Sequence, residues 1–271
     1  MRAEGMRVFE TLDYSVRDGV AELRLQRPER RNAVNHRMHV ELPQAWSAIR
    51  RDPQVVVAIV TGAGSKAFCT GADLADLPPV EESDGHGAMA WTGLRNNVWK
   101  PVICAINGQV VGGGLHFVAD ADIVIASDEA TFCDSHVSSG LVAGLEPVAL
   151  ARKIPLEAVL RLALVGRGYT MSAARACELG LVGEVVPASQ LMERARELAA
   201  LIAANSPSAM ARTKRAIWRS LELPLSQSLD AAWRDIETHN RGPDFQEGID
   251  AFLERRPPEW AAYDPEARDD G

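Results

Sequence analysis

Apolar and polar positions alternate along "VFETLDYSVRDGVAELRLQRPE", and Asp18-Gly19 breaks the alternation in the middle. That pattern predicts a β-hairpin, with Asp-Gly as its two-residue turn. The period then changes to a helical one over "NHRMHVELPQAWSAIRRDP", with Asn35 as the N-cap and a stop ahead of Pro53. Pro43 lies within that helix and is expected to kink or split it. "VVVAIVTG" is an unbroken apolar run of strand length, as expected of a strand covered on both faces. "VICAING", "DIVIAS" and "ATFCD" are further short buried strands, and a glycine run with a helix-length segment separates the first two. Strand, helix, strand in this order is the mark of an α/β layered domain.

Breakers and polar residues crowd Pro78–Ala90, which reads as a loop that shapes a substrate pocket. From about Glu146 the pattern turns helical. Ser172 is an expected N-cap and Gly180 a stop, and four amphipathic stretches follow "LMERARELAALIAANSP" or include it. A boundary is placed near residue 200, with strands before it and a helical tail over 201–271.

Composition narrows the function classes. The chain has 271 residues, 46% hydrophobic and 24% charged, enough for a sizeable core. Its net charge of -8 argues against nucleic acid or an anionic membrane as a partner held by bulk electrostatics. No apolar stretch reaches the length of a membrane span and the N-terminal residues lack a signal-peptide core, so a cytoplasmic location is expected. Cys69, Cys104, Cys133 and Cys177 have no paired spacing, which suits a reducing compartment.

Two glycine turns follow buried strands: "FCTGADL" and "GQVVGGGLHF". A glycine turn that opens a helix aims unpaired N–H groups at one point and can hold an anion or a developing oxyanion. The second turn has neither the GxGxxG spacing nor a following Lys-Ser or Lys-Thr pair, so nicotinamide-dinucleotide and P-loop readings are poor. His116 and His136, Asp134 and Cys133 match no metal-ligand spacing, and no metal is expected.

In order along the chain stand "LQRPERRNAVN", "VTGAGSKAFCTGADL", "KPVICAINGQVVGGGLHFVADADIVIAS", "ATFCDSHVSSGLVAG", "TMSAARACELGLVGEVVP" and "FQEGIDAFLERRPPEW". On these pieces the chain resembles the enoyl-CoA hydratase/isomerase (crotonase) superfamily over most of its length. The resemblance implies an α/β crotonase-like fold, with a spiral core of repeated ββα units over 1–200 and a C-terminal helical trimerisation region over 201–271. It implies a homotrimer or dimer of trimers, and an acyl-CoA substrate that brings coenzyme A with it, with no separate cofactor. The thioester oxygen would lie between the backbone N–H groups of Ala72 and Gly113. The glycines would be bare so that the thioester can touch the chain.

The superfamily's hydratases carry two glutamates, at the positions held here by His116 and His136. In a branch that hydrolyses the carbon–carbon bond of β-diketones, a histidine three residues before Ser-Gly is followed by an acid. Here His136 precedes Ser139-Gly140, and Glu146 follows one position later than that branch's acid. The expected roles are His136 as the water-activating base, Glu146 as its orienter, and His116 as an acyl contact or proton shuttle. Asp134 is a strand-end residue or a partner of His136. Two outcomes stand open: hydration of an enoyl-CoA, and hydrolytic cleavage of a β-dicarbonyl. A catalytically silent acyl-CoA-binding protein is the alternative.

For the coenzyme's phosphates the candidates are Arg30, Arg31 and Lys66, with Asp73 beside them on the "CTGAD" turn and Arg27, Arg255 and Arg256 behind them. His36, His39, His86 and His239 are expected in solvent. Trp91, Trp99, Trp218 and Trp233 are expected in core or interface.

Overall fold

The computed structural model describes residues 9–77, 85 and 89–265. His86 and most of the loop expected at Pro78–Ala90 lie outside the described residues. The hairpin forms as expected: β1 (Leu12–Arg17) and β2 (Val20–Leu25) pair antiparallel, and Asp18 and Gly19 both have positive φ. Asn35 caps α1 (His36–Arg51), its Oδ1 accepting from the Met38 amide at 3.1 Å. Pro43 does not split α1, which runs unbroken through it. The buried stripe of Met38, Leu42, Ala45, Trp46 and Ile49 spans the proline on both sides and outweighs the single lost hydrogen bond.

From α1 onward the chain alternates between two sheets. β3 (Val57–Gly62), β5 (Val102–Ile106), β7 (Ile123–Ser127) and β10 (Glu184–Val186) extend the first sheet in parallel, giving the order β1-β2-β3-β5-β7-β10. β4 (Ala67–Cys69), β6 (Gln109–Val111), β8 (Thr131–Cys133) and β9 (Met171–Ser172) form the second, in that order. Each of β3, β5 and β7 is therefore followed by a short strand in the other sheet. After β6 comes α2 (Leu115–Asp120), and after β8 come α3 (Leu145–Leu150) and α4 (Leu156–Val165). These are ββα turns of one spiral.

The apolar runs of β3 and β5 have a direct cause. Ala58, Val60, Cys104 and Ile106 face the main core, whereas Val57, Ile59, Ile103 and Ala105 face the other way. That second face is covered by Leu191, Ala195 and Ala199 of α6 (Leu191–Ala203). A strand covered on both sides has no polar positions to alternate with. Ser172 caps α5 (Ala173–Glu178), and Gly180 follows it with positive φ. The boundary at residue 200 falls inside α6. Beyond α6 come α7 (Pro207–Ser220), α8 (Leu225–Asn240) and α9 (Pro243–Glu254).

Two buried lysines, Lys100 and Lys214, and the half-buried Lys153 brace this frame, Lys100 and Lys153 at helix ends. The Lys100 ammonium donates to the carbonyls of Ile49 and Asp52 at the end of α1, and Lys153 to those of Val118 and Ala121 at the end of α2. Lys214 pairs with Asp122 at 2.7 Å and donates to the Lys100 carbonyl. A cation on terminal carbonyls satisfies groups the helix leaves unpaired. Burial lowers the Lys100 amine to about 8. The four cysteines are free; burial lifts the Cys69 thiol to about 12.

Candidate active site

The glycine turn sits where β6 ends and α2 begins. Val111 is extended, Gly112–Gly114 makes one tight helical turn, and Leu115 continues it as α2. Gly113 stands in the first turn, where N–H groups lack an intrahelical acceptor. The protein itself constrains each glycine, through a positive φ at Gly112 and through close neighbouring atoms at Gly113 and Gly114. Gly112 has φ +51, and a Cβ there would lie 3.4 Å from the His136 ring. A Cβ on Gly113 would come within 2.9 Å of the Trp91 ring, and one on Gly114 within 2.3 Å of the Cys69 carbonyl oxygen.

The other turn approaches the same place. The Val34 amide donates to the Gly71 carbonyl and the Asp73 amide to the Val34 carbonyl, so Ala72, bridged to Val34, turns its own N–H away from that partner. Gly71 has φ +81, and a Cβ on it would stand 2.8 Å from the Gly113 nitrogen. Residue 71 thus packs directly against the Gly113 amide, one residue before Ala72.

Beside this corner lies a run of four titratable side chains. Asp134, fully buried at the end of β8, accepts from both the amide and Nδ1 of His136 through Oδ1, at 2.9 and 2.7 Å. On the opposite side of that ring, His136 Nε2 is 3.9 Å from Glu146 Oε1. The same oxygen is 3.1 Å from His116 Nε2. His116 is 2% exposed, and its Nδ1 is buried with no partner among the described residues. Glu146 is in the first turn of α3 and buried, so it is a helix N-terminal acid and a member of the cluster at once. The two histidines and Glu146 singled out in the sequence are brought together.

Of the two readings of Asp134, partner of His136 is the one found, and Glu146 does not take the expected orienting place at Nδ1. The orienter of His136 is Asp134, through Nδ1, while Glu146 faces Nε2 and is hydrogen-bonded to His116. The reason is local: Asp-Ser-His closes a turn in which the aspartate side chain reaches the amide two residues on. The spacing of Asp134 and His136 carried that signal.

The charges follow the contacts. The Asp134 hydrogen bond raises the His136 pKa; burial opposes it, and the Glu146 and Asp134 charges add to the rise. Burial pushes the Glu146 carboxyl up, but the His116 hydrogen bond and charge, with the His136 charge, outweigh it and the net shift is downward. The cluster thus holds a carboxylate between two imidazoles, one of them with raised proton affinity.

Of the basic candidates, Arg31 and Lys66 both lie beside Gln109. Arg31 donates to the Gln109 side chain at 3.4 Å, and the Gln109 amide donates to the Lys66 carbonyl. Arg30 is exposed beside them. Arg27 and Asp73 are instead used by the fold: they pair at 3.0 Å, Arg27 also holds the Ala33 carbonyl, and Asp73 caps the Ala75 amide. The pair leaves Asp73 a negative group pinning the Ala72 turn, the wrong sign for a phosphate. Arg256 is committed to Glu247 and Glu254, and Arg255 ends α9 in the left-handed region.

Two aromatic groups were not read as part of the site. Trp91 is buried edge-on against His116, with ring centroids 5.9 Å apart. Its indole N–H donates to His39 Nδ1 at 3.0 Å, so His39 is half-buried rather than in solvent. His239 is also half-buried, while His36 is exposed. Trp218 is tied to Asp122 through its indole N–H, and Trp233 is exposed on α8. Neither contact to Trp91 is legible from spacing, since α1 and Trp91 are far apart in sequence.

The two-sheet spiral has counterparts among known proteins. A profile of the enoyl-CoA hydratase/isomerase family matches residues 15–263. (E)-benzylidenesuccinyl-CoA hydratase of Thauera aromatica is 38% identical over 263 residues, covering 92% of this chain and 97% of that protein. Carnitinyl-CoA dehydratase of Proteus mirabilis is 34% identical, covering 93% and 98%. The crystal structure of an enoyl-CoA hydratase/isomerase from Mycobacterium paratuberculosis superposes with a TM-score of 0.88 at 40% identity, covering 94% of this chain and all of that one. Fold and sequence agree, and the chain belongs to the enoyl-CoA hydratase/isomerase family.

Proposed function

We propose that this chain adds water to the double bond of an enoyl-CoA thioester, or removes it in reverse. The Ala72 and Gly113 amides receive the thioester oxygen, and the Asp134–His136 pair does the proton chemistry. The observation that carries the reading is the placement of the His136 ring. It lies against Gly112 with Nδ1 held by Asp134 and Nε2 turned toward the Glu146 carboxylate. A gap of 3.9 Å is too long for a direct hydrogen bond and fits a water bonded to both groups.

That water supplies every atom the reaction needs. His136 Nε2 takes one of its protons as the oxygen bonds to the β-carbon, and the double-bond electrons move toward the thioester oxygen. Two backbone N–H groups there stabilise the enolate; removing one such donor costs about 3 kcal/mol of barrier. The proton on Nε2 then passes to the α-carbon, so water has been added with no net proton change. Glu146 holds the water's other hydrogen and accepts from His116, which makes His116 a buried partner of Glu146 rather than a wall of the acyl pocket. Arg30, Arg31 and Lys66 hold the coenzyme's phosphates, which enter only with the substrate.

The test is turnover of crotonyl-CoA and of enoyl-CoA thioesters with branched or carboxylated acyl groups, followed by loss of enoyl absorbance. His136→Ala is expected to lower kcat by about 10²–10⁴-fold while a saturated acyl-CoA still binds. Release of a free acid from a β-dicarbonyl thioester, without hydration of any enoyl-CoA, would replace this reading by C–C hydrolysis. Binding without turnover of either class would leave the silent acyl-CoA-binding alternative.

A further inference from the structure

Outside the proton-handling cluster, one contact chain links the protein's periphery to both halves of the site. Trp91 is 1% exposed and is gripped at two points by α1: its carbonyl accepts from the Trp46 indole N–H at 2.7 Å, and its own indole N–H donates to His39 Nδ1 at 3.0 Å. The His39 and Trp91 rings meet at 87°. On its inner side the indole stands edge-on to His116, interplanar angle 86°, and fills the space a Cβ on Gly113 would need. One rigid ring therefore touches the backbone of the proposed oxyanion donor and the imidazole that holds Glu146.

We propose that His39 and Trp91 are positioning residues: the His39 hydrogen bond fixes the rotation of the Trp91 indole, and the indole fixes Gly113 and His116 relative to one another. The indole N–H can only donate, so His39 Nδ1 must be the acceptor and any ring proton sits on Nε2. Losing that acceptor leaves a buried N–H unsatisfied, at a cost that favours rotation of the ring out of place. Two groups that must address one substrate then lose their common reference, and ångström-scale misplacement is costly to catalysis. A ring serving only as core filler would lack this dependence on one acceptor atom.

The inference rests on the hydration reading for its kinetic arm only. His39→Leu removes the acceptor, and His39→Asn restores one near the place of Nδ1. In the whole protein, His39→Leu is expected to lower kcat about tenfold with KM unchanged, and His39→Asn to recover most of that loss. In a Trp91→Phe background, which keeps a ring but has no N–H, His39→Leu should have no further effect. The second arm needs no turnover: in protein labelled with ¹³C-histidine, the Cε1–H signal of His116, assigned by its loss in His116→Gln, should move in His39→Leu and return in His39→Asn. If the wild-type protein hydrates nothing, the functional reading fails and the spectrum still decides the positioning. A His116 signal unmoved by His39→Leu, or an equal kinetic loss with and without the Trp91 indole, would overturn the inference.

Discussion

Asp134 uses one oxygen twice, for the amide and for the ring of His136, and the consequence is a pH signature. The contact raises the His136 pKa above the ordinary 6.5. A base must be neutral to take a proton, so the rate of hydration should rise with pH through a value above 6.5. Asp134→Asn removes the cause, and the acid limb should then move down toward 6.5 as kcat falls. The sign for stability is the opposite. A group whose pKa is raised on folding stabilises most below its unfolded value and loses that contribution as pH rises through the folded one. Asp134→Asn should therefore cost more stability at pH 6 than at pH 9, as read by urea unfolding at the two values. Equal losses at both would remove the charge-assisted bond from the account. At this scale His116, His136 and Glu146 were legible through the resemblance, which implies chemistry at or near their positions. The pairing of Asp134 with His136 was also carried by their spacing, whereas that of Glu146 with His116 depends on how α2 and α3 meet, which residue types do not state.

At the scale of elements the chain was largely readable, because burial on one or two faces writes itself into the order of apolar residues. β3 and β5 show this most plainly, with alternate side chains shared between the main core and α6. At Pro43 the buried stripe of α1 overrides the local rule, and the helix is not split there. The glycine turns are the elements on which the site depends, and at Gly71 one turn packs against the Gly113 nitrogen of the other. Its φ of +81 and the closeness of the Gly113 nitrogen leave no room for a methyl group. Gly71→Ala is expected to cost about 1–2 kcal/mol in stability from the backbone alone. It should also lower kcat by about 10²–10³-fold by covering or displacing one oxyanion donor. Full activity in a folded Gly71→Ala protein would show that the Gly113 amide takes no part in turnover.

For the whole molecule, the C-terminal helices pose the main question of assembly. On α8, Leu225, Leu229, Trp233 and Ile236 recur every three or four residues, and all four are exposed. A stripe of this kind is out of place on a solvated monomer. The trimer or dimer of trimers expected from the resemblance would account for it, and light scattering should give a mass about three or six times that of the chain, falling in Trp233→Glu. A monomeric wild-type protein would reject that reading. The sequence could show the stripe but not what covers it, since a buried stripe and a subunit contact have the same periodicity.

The Lys100 amine has a further consequence. Burial lowers that amine to about 8 and the same burial keeps acyl donors such as thioesters away from it, so the proton is loosely held only where no reagent can reach. With only 2% of its surface reachable and both carbonyls of its cradle in place, the amine is shielded from the reagents this family binds. An acyl group found on Lys100 would thus be a chemical record of chains that had opened, and its slow accumulation would measure how often they do.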